Sequence, residues 1–115
     1  MNKRQVGTQY ESMAVQYLME AGYHILERNF RCRTGEIDII AKDGAYLVFV
    51  EVKYRASAAC GSALEAVDYR KQQSILRVAQ YYMVSHGYGT QTNCRFDVVA
   101  IQGTEITLIQ NAFGA

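Results

Sequence analysis

The sequence predicts an α/β fold, a mixed β-sheet flanked by helices in the order αβββαββ. Three observations predict it: helical spacing of apolar residues in two separated stretches, five short runs rich in Ile, Val, Phe and Tyr, and a hairpin signal at Asp43-Gly44. From Thr8 to Ala21 the apolar residues Tyr10, Met13, Ala14, Tyr17, Leu18 and Ala21 recur every three or four positions, and Gly22 stands where a helix C-cap belongs. Tyr23–Arg31, Glu36–Ala41 and Tyr46–Tyr54 read as consecutive strands. The last two are joined by Asp43-Gly44, residues that tolerate the positive φ of a two-residue turn, so their pairing is antiparallel. Helical spacing returns from Ser62 to about His86 through Leu64, Val67, Ile75, Val78, Ala79, Tyr82 and Met83, and Gly87 and Gly89 close it. Cys94–Ile101 and Glu105–Ile109 are again strand-like, with Gln102-Gly103 as their turn. A helix of that length between two strands is the usual crossover, which makes the third and fourth strands parallel neighbours.

With 115 residues the chain is expected to form one domain. Half of the residues are hydrophobic and 20% are charged, which is globular usage and excludes the signature of disorder. No stretch approaches the roughly 18 apolar residues that span a bilayer, and Met1 to Gly7 is polar, so a cytoplasmic location without membrane attachment is expected. Cys32, Cys60 and Cys94 are far apart and lack metal spacing, and are read as reduced structural thiols. A net charge of +1 excludes a strongly basic duplex binder, so any phosphate binding has to be local. Three clusters qualify: Arg28, Arg31 and Arg33; Lys53 and Arg55; Arg70, Lys71 and Arg77.

The predicted hairpin carries chemistry. With Asp43 and Gly44 as its turn, Lys42 faces Ala45, Asp38 faces Phe49 and Glu36 faces Glu51. Alternation then collects Glu36, Asp38, Glu51 and Lys53 on one face together with Leu47 and Phe49, while Ile37, Ile39, Val48, Val50 and Val52 form the other. Asp38 is diagonal to Glu51, roughly 7–8 Å away along the backbone, from which two carboxylates can converge on one ion. Mg2+ (or Mn2+) needs only one or two carboxylates, a carbonyl, water and substrate oxygens. Lys53 places an ammonium beside a metal-bound water and a phosphate, and together these residues make a kit for phosphodiester hydrolysis. Taken alone, Glu51 and Lys53 also fit a plain ion pair on one strand face.

Two readings stay open for Glu11, which shares a helical stripe with Ala14, Val15 and Leu18: it looks toward the sheet, or it sits near a helix N-terminus where the dipole favours it. Asp97 and Arg95 alternate on one strand face and read as an ion pair. His24 and His86 have no second ligand or nucleophile nearby, and the tyrosines are packing groups, with base stacking kept open for Tyr54 beside Lys53.

Gly7, Glu11, Ala14, Tyr17-Leu18, Gly22-Tyr23, Asn29, Arg31 and Gly35-Glu36-Ile37-Asp38-Ile39-Ile40-Ala41 resemble the small bacterial YraN family of predicted endonucleases. The resemblance continues through Val48-Phe49-Val50-Glu51-Val52-Lys53, Arg55, Glu65-Ala66-Val67, Lys71 and Arg95-Phe96-Asp97-Val98-Val99. It implies a restriction-endonuclease-like fold of the Holliday-junction-resolvase branch, whose site pattern Asp…Glu-x-Lys falls on Asp38, Glu51 and Lys53. It also implies that Glu11 can join the metal site. Cys60 departs from the pattern, where an aromatic residue is expected before Gly61.

The expected function is therefore a metal-dependent endonuclease acting on DNA, with branched or otherwise structured DNA as a candidate substrate. Asp38, Glu51, the Val52 backbone carbonyl and Glu11 are the expected metal ligands, Lys53 is the expected catalytic lysine, and Arg31, Arg33, Arg55 and Lys71 are the expected nucleic-acid contacts. A homodimer is the expected assembly for a junction substrate. The rival readings are a non-catalytic nucleic-acid-binding or adaptor module, and a nuclease for structured RNA.

Overall fold

The computed structural model describes residues 3–55 and 67–114. Helix α1 (Lys3–Glu20) leads into β1 (His24–Cys32), β2 (Gly35–Asp43) and β3 (Tyr46–Arg55); helix α2 (Tyr69–Ser85) then leads into β4 (Cys94–Gln102) and β5 (Glu105–Phe113). The strands form one mixed sheet in the order β1-β2-β3-β4-β5. Among the described residues only the β3/β4 pair, which α2 connects, is parallel, as the crossover predicts.

Both helices end in the same way. Tyr23 N–H reaches Leu18 O and Gly22 N–H reaches Met19 O behind α1; Tyr88 N–H reaches Met83 O and Gly87 N–H reaches Val84 O behind α2. These are Schellman closures with glycine at the first position past the cap. The start of α2 differs from the sequence expectation. Val67 and Asp68 precede the helix, and the Asp68 carboxylate caps it by accepting the Lys71 N–H at 2.9 Å. Residues 62–66 and Cys60 lie outside the described residues.

Each face of the sheet has its own core. Ala14 and Leu18 of α1 pack with Tyr23, Ile39, Ala41, Val48, Val50, Val99 and Ile101. Ile75, Val78, Ala79 and Tyr82 of α2 pack with Ile37, Ile40, Leu47, Phe49 and Phe96. A fully buried Leu, Ile or Phe side chain contributes about 1.5–3 kcal/mol of transfer free energy, so each helix is pinned mainly by its apolar stripe.

The hairpin register departs from the prediction. Asp43 pairs with Tyr46, Lys42 with Leu47 and Ile40 with Phe49, so Gly44 and Ala45 are the turn residues. Only the first turn position has positive φ, +59° at Gly44, and glycine fills it without strain. The β4/β5 turn shifts in the same way, with Gln102 paired to Glu105 and Gly103 leading the turn. A turn displaced by one residue moves each cross-strand partner by two, which preserves the face of every side chain. Leu47 and Phe49 therefore share a face as predicted, and that face is the one covered by α2.

Alternation fails in β2. Ile37 belongs to the α2-side core and Ile39 to the α1-side core, although regular alternation puts both on one face. On the neighbouring strand Asn29, between the paired positions Arg28/Ile39 and Phe30/Ile37, has φ +53°. The two strands twist out of step together there, and Asp38 lies at the irregularity.

Candidate active site

The β2/β3 ladder runs from Asp43/Tyr46 to Ile39/Val50 and goes no further. One residue on, a side chain replaces the backbone pairing: Val52 N–H donates to Asp38 Oδ2 at 2.8 Å. Asp38 thus sits in the gap where β2 leaves β3, and its carboxylate is fixed by main chain. In a β-strand the N–H and C=O of one residue point to the same side, so the Val52 carbonyl opens on that gap as well.

Glu51 precedes Val52 and follows Leu47 and Phe49 in alternation, so it faces α2 and is only 5% exposed. Two ammonium groups approach its Oε1, Lys53 Nζ at 3.6 Å and Lys71 Nζ at 3.8 Å. These are ion-pair separations, too long for strong hydrogen bonds. Burial pushes the Glu51 carboxyl up to about 7, and the charge of Asp38 adds to the rise, while Lys71 and Lys53 pull against it. Asp38 is likewise raised, first by burial and then by Glu11 and Glu36, against the Val52 N–H and the Lys71 charge. The charge of Asp38 acts on Glu51, but the two carboxyls do not share one face of the sheet as the alternation predicts: Glu51 looks toward α2, whereas Asp38 and Glu36 line the cavity on the α1 side, because β2 loses its alternation between Ile37 and Ile39.

Glu11 is buried, at 8% exposure. Its Oε1 accepts from Asn29 Nδ2 at 2.9 Å and from Arg28 Nε at 3.2 Å. It looks toward the sheet, one of the two readings left open, and its charge is felt at Asp38. Among the described residues, however, no group of three or more His, Cys, Asp or Glu is gathered closely enough to hold a metal ion. The acidic core of the site is therefore the pair Asp38 and Glu51, with Glu11 committed to Arg28 and Asn29.

Open space flanks the pair. A cavity of about 690 Å³ on the α1 side has Tyr10, Glu11, Asn29, Glu36, Asp38 and Tyr54 among its walls. A second, of about 480 Å³, is lined by Lys53, Asp68, Arg70, Lys71 and Ser74. The first is dominated by carboxylates and the second by cations.

The remaining candidates separate. Lys71, read from sequence only as a surface phosphate contact, stands at Glu51 as a second site lysine. The signal for it was Asp68, whose capping role puts Lys71 in the first turn of α2. Arg31 is paired with Glu36 at 2.9 Å, Arg33 is exposed in the β1–β2 turn, and Arg55 Nη1 donates to Tyr54 O. Tyr54 stacks on Tyr10 with ring centroids 3.7 Å apart, an intramolecular partner for the residue kept open as a base platform. His86 stacks on Tyr82, and Cys32 and Cys94 are free thiols.

The Arg95–Asp97 pair is larger than a strand-face contact. Asp97 is fully buried and accepts from Arg95 Nε and Nη2, Tyr23 Oη and Asn111 N–H, all between 2.7 and 2.9 Å. Arg95 also reaches Asp43 at 2.8 Å, which ties the hairpin turn to β4.

The chain has close relatives. It is 50% identical to a UPF0102 protein of Lachnoclostridium phytofermentans over 115 residues, covering 100% of this chain and 98% of the relative. It is 47% identical to a UPF0102 protein of Stutzerimonas stutzeri, covering 93% of this chain and 92% of the relative. A UPF0102 protein of Photobacterium profundum is 51% identical over 106 residues, 91% of this chain and 85% of the relative. The model of the uncharacterised protein family UPF0102 matches residues 10–101, a span that holds Glu11, Asp38, Glu51, Lys53 and Lys71. On identity and coverage together, the chain belongs to the uncharacterised protein family UPF0102.

Proposed function

We propose that this protein is a metal-dependent endonuclease that hydrolyses phosphodiester bonds in DNA, with branched or otherwise structured DNA as the substrate class and a restriction-endonuclease-like core as its scaffold. The observation that supports the reading is that Asp38, held by the Val52 N–H where β2 leaves β3, acts with its charge on the buried Glu51, which has Lys53 beside it. The donor set fits a hard divalent cation, Mg2+ or Mn2+: carboxylate oxygens of Asp38 and Glu51 with the Val52 carbonyl, and the remaining positions left to water and substrate oxygens. Bound there, the cation would polarise the phosphoryl group and lower the pKa of water.

The residues of the chain divide the remaining work. Val52 N–H fixes the Asp38 carboxylate, so the ligand is preorganised without a side-chain partner. Lys53 supplies positive charge where the transition state gains negative charge, and Lys71 holds Glu51 in place from α2. Glu11 is kept on Arg28 and Asn29 and shapes the field at Asp38. Cutting a branched substrate symmetrically takes two such sites on a twofold dimer.

The test is a titration of Mn2+ into the purified protein by calorimetry, beside cleavage of duplex, branched, flapped and single-stranded oligonucleotides with Mg2+ or Mn2+. Wild type binds the metal and cuts at least one substrate, and Asp38→Ala does neither. Matching isotherms for the two proteins would remove Asp38 from the site.

A further inference from the structure

Helix α2 turns one face outward along its whole length. Arg70, Ser74, Arg77, Tyr81 and Val84 stand at intervals of four and three residues, a stripe that drifts only about 20° per heptad. Its first half is basic. Arg70 and Arg77, both exposed, lie two helical turns apart, about 10 Å along the axis. Between them Ser74 Oγ donates to Thr34 O at 3.3 Å, so the β1–β2 turn rests on the same stripe and brings exposed Arg33 to it. Two basic clusters some 40 residues apart in sequence thereby meet.

Among the described residues, no carboxylate pairs with Arg33, Arg70 or Arg77. The stripe also runs into the site. Arg70 lines the 480 Å³ cavity with Lys53 and Lys71, the two lysines that approach Glu51. Asp68 lines it too, with its carboxylate occupied in capping α2. The α1 side presents the opposite field. Glu11, Glu36 and Asp38 line its cavity, and the arginines there, Arg28 and Arg31, are already paired with Glu11 and Glu36.

We propose that nucleic acid approaches over the α2 face, with backbone phosphates seated on Arg70, Arg77 and Arg33 and the track leading past Lys53 and Lys71 to Glu51. The inference rests on the nuclease reading and adds to it the face and the contacts that hold the substrate. Charge complementarity favours this face, because among the described residues a polyanion meets cations without carboxylate partners on the α2 side, whereas on the α1 side the arginines are already paired with Glu11 and Glu36.

The experiment measures binding of a fluorescein-labelled oligonucleotide duplex and a branched counterpart by anisotropy over a series of salt concentrations. The proteins are wild type, the double variant Arg70→Ala/Arg77→Ala, Arg33→Ala, and Lys42→Ala as a remote change of equal charge. Alanine at two exposed helix positions leaves the helix propensity intact, and circular dichroism verifies the fold. The double variant should bind roughly tenfold or more weakly, with the slope of log K against log salt reduced by about 1.8, two phosphate contacts' worth. Arg33→Ala should reduce the slope by about 0.9, and Lys42→Ala should match wild type. A double variant that binds like wild type overturns the α2 track and leaves the nuclease reading standing. A wild type that binds no oligonucleotide overturns both.

Discussion

Replacing Glu51 by glutamine should stabilise the metal-free protein at alkaline pH and change its stability at pH 5 much less. The carboxyl is held at about 7, against 4.5 for a solvated glutamate, chiefly because it is buried and secondly because Asp38 is charged. Between those two values the folded state binds more protons than the unfolded state, so stability falls as pH rises through the window. At about 1.4 kcal/mol per pH unit, the full loss across that window is about 3 kcal/mol. Glutamine keeps the shape, cannot ionise, and removes the dependence. It also gives up two long ion pairs, to Lys53 at 3.6 Å and Lys71 at 3.8 Å, whose attraction is already contained in the position of the carboxyl near 7. The expected gain at pH 8 is therefore about 3 kcal/mol, against about 1 kcal/mol at pH 5. Urea unfolding at pH 5, 6, 7 and 8 in chelator measures it, with m unchanged between the proteins and midpoints separating by roughly 1–2 M at the alkaline end. Parallel pH profiles for wild type and Glu51→Gln would mean instead that Glu51 is solvated in the folded chain.

Two further outcomes test the frame around the site. Asp97→Ala should cost about 3–5 kcal/mol, because it strands Arg95 and Tyr23 without their shared acceptor in a fully buried position; thermal and urea unfolding measure the loss, and a cost under 1 kcal/mol would mean that the network is loose. Gly35→Ala should destabilise as well, since an added Cβ would lie 2.7 Å from Ser74 Oγ at φ +149°; Ser74→Gly in the same chain should recover the steric part of the loss, and a double variant no better than Gly35→Ala alone would assign the whole cost to the backbone.

Much of this architecture is legible in the sequence because the signals are local. Helix α1 shows itself by its apolar spacing and Gly22, and the parallel β3/β4 pair follows from the length of the connection that holds α2. The face shared by Leu47, Phe49, Glu51 and Lys53 needs only the period of two, which survives the misplaced turn. Asp43-Gly44 reads as the turn because both residues tolerate positive φ, but the chain requires that conformation only at Gly44, and Asp43 pairs with Arg95 instead. The shifted register pairs Phe49 with Ile40 rather than Asp38, and Asp38 instead accepts the Val52 N–H beyond the end of the ladder.

What the sequence did not show is non-local. Ile37 and Ile39 look like one face of a strand, and only the paired irregularity at Asn29 and Asp38 sends them to opposite cores. Lys71 comes to Glu51 from a helix twenty residues away in the chain, a placement set by the packing of α2 on the sheet. Arg31 spends its charge on Glu36, its cross-strand partner, which no spacing rule distinguishes from a phosphate contact.

Chemistry by the carboxylates and Lys53 on a phosphodiester is separated from mere binding by comparing affinity with single-turnover cleavage for wild type and Lys53→Ala. Both proteins are assayed on the same labelled substrates at two or more salt concentrations with Mg2+ or Mn2+. Lys53→Ala should lower the cleavage rate by about 10²–10³ and change affinity only a few-fold, because the ammonium acts on charge that develops in the transition state. A wild type that cuts no substrate in the panel with either metal would contradict that chemistry, as would a variant whose affinity falls in step with its cleavage rate.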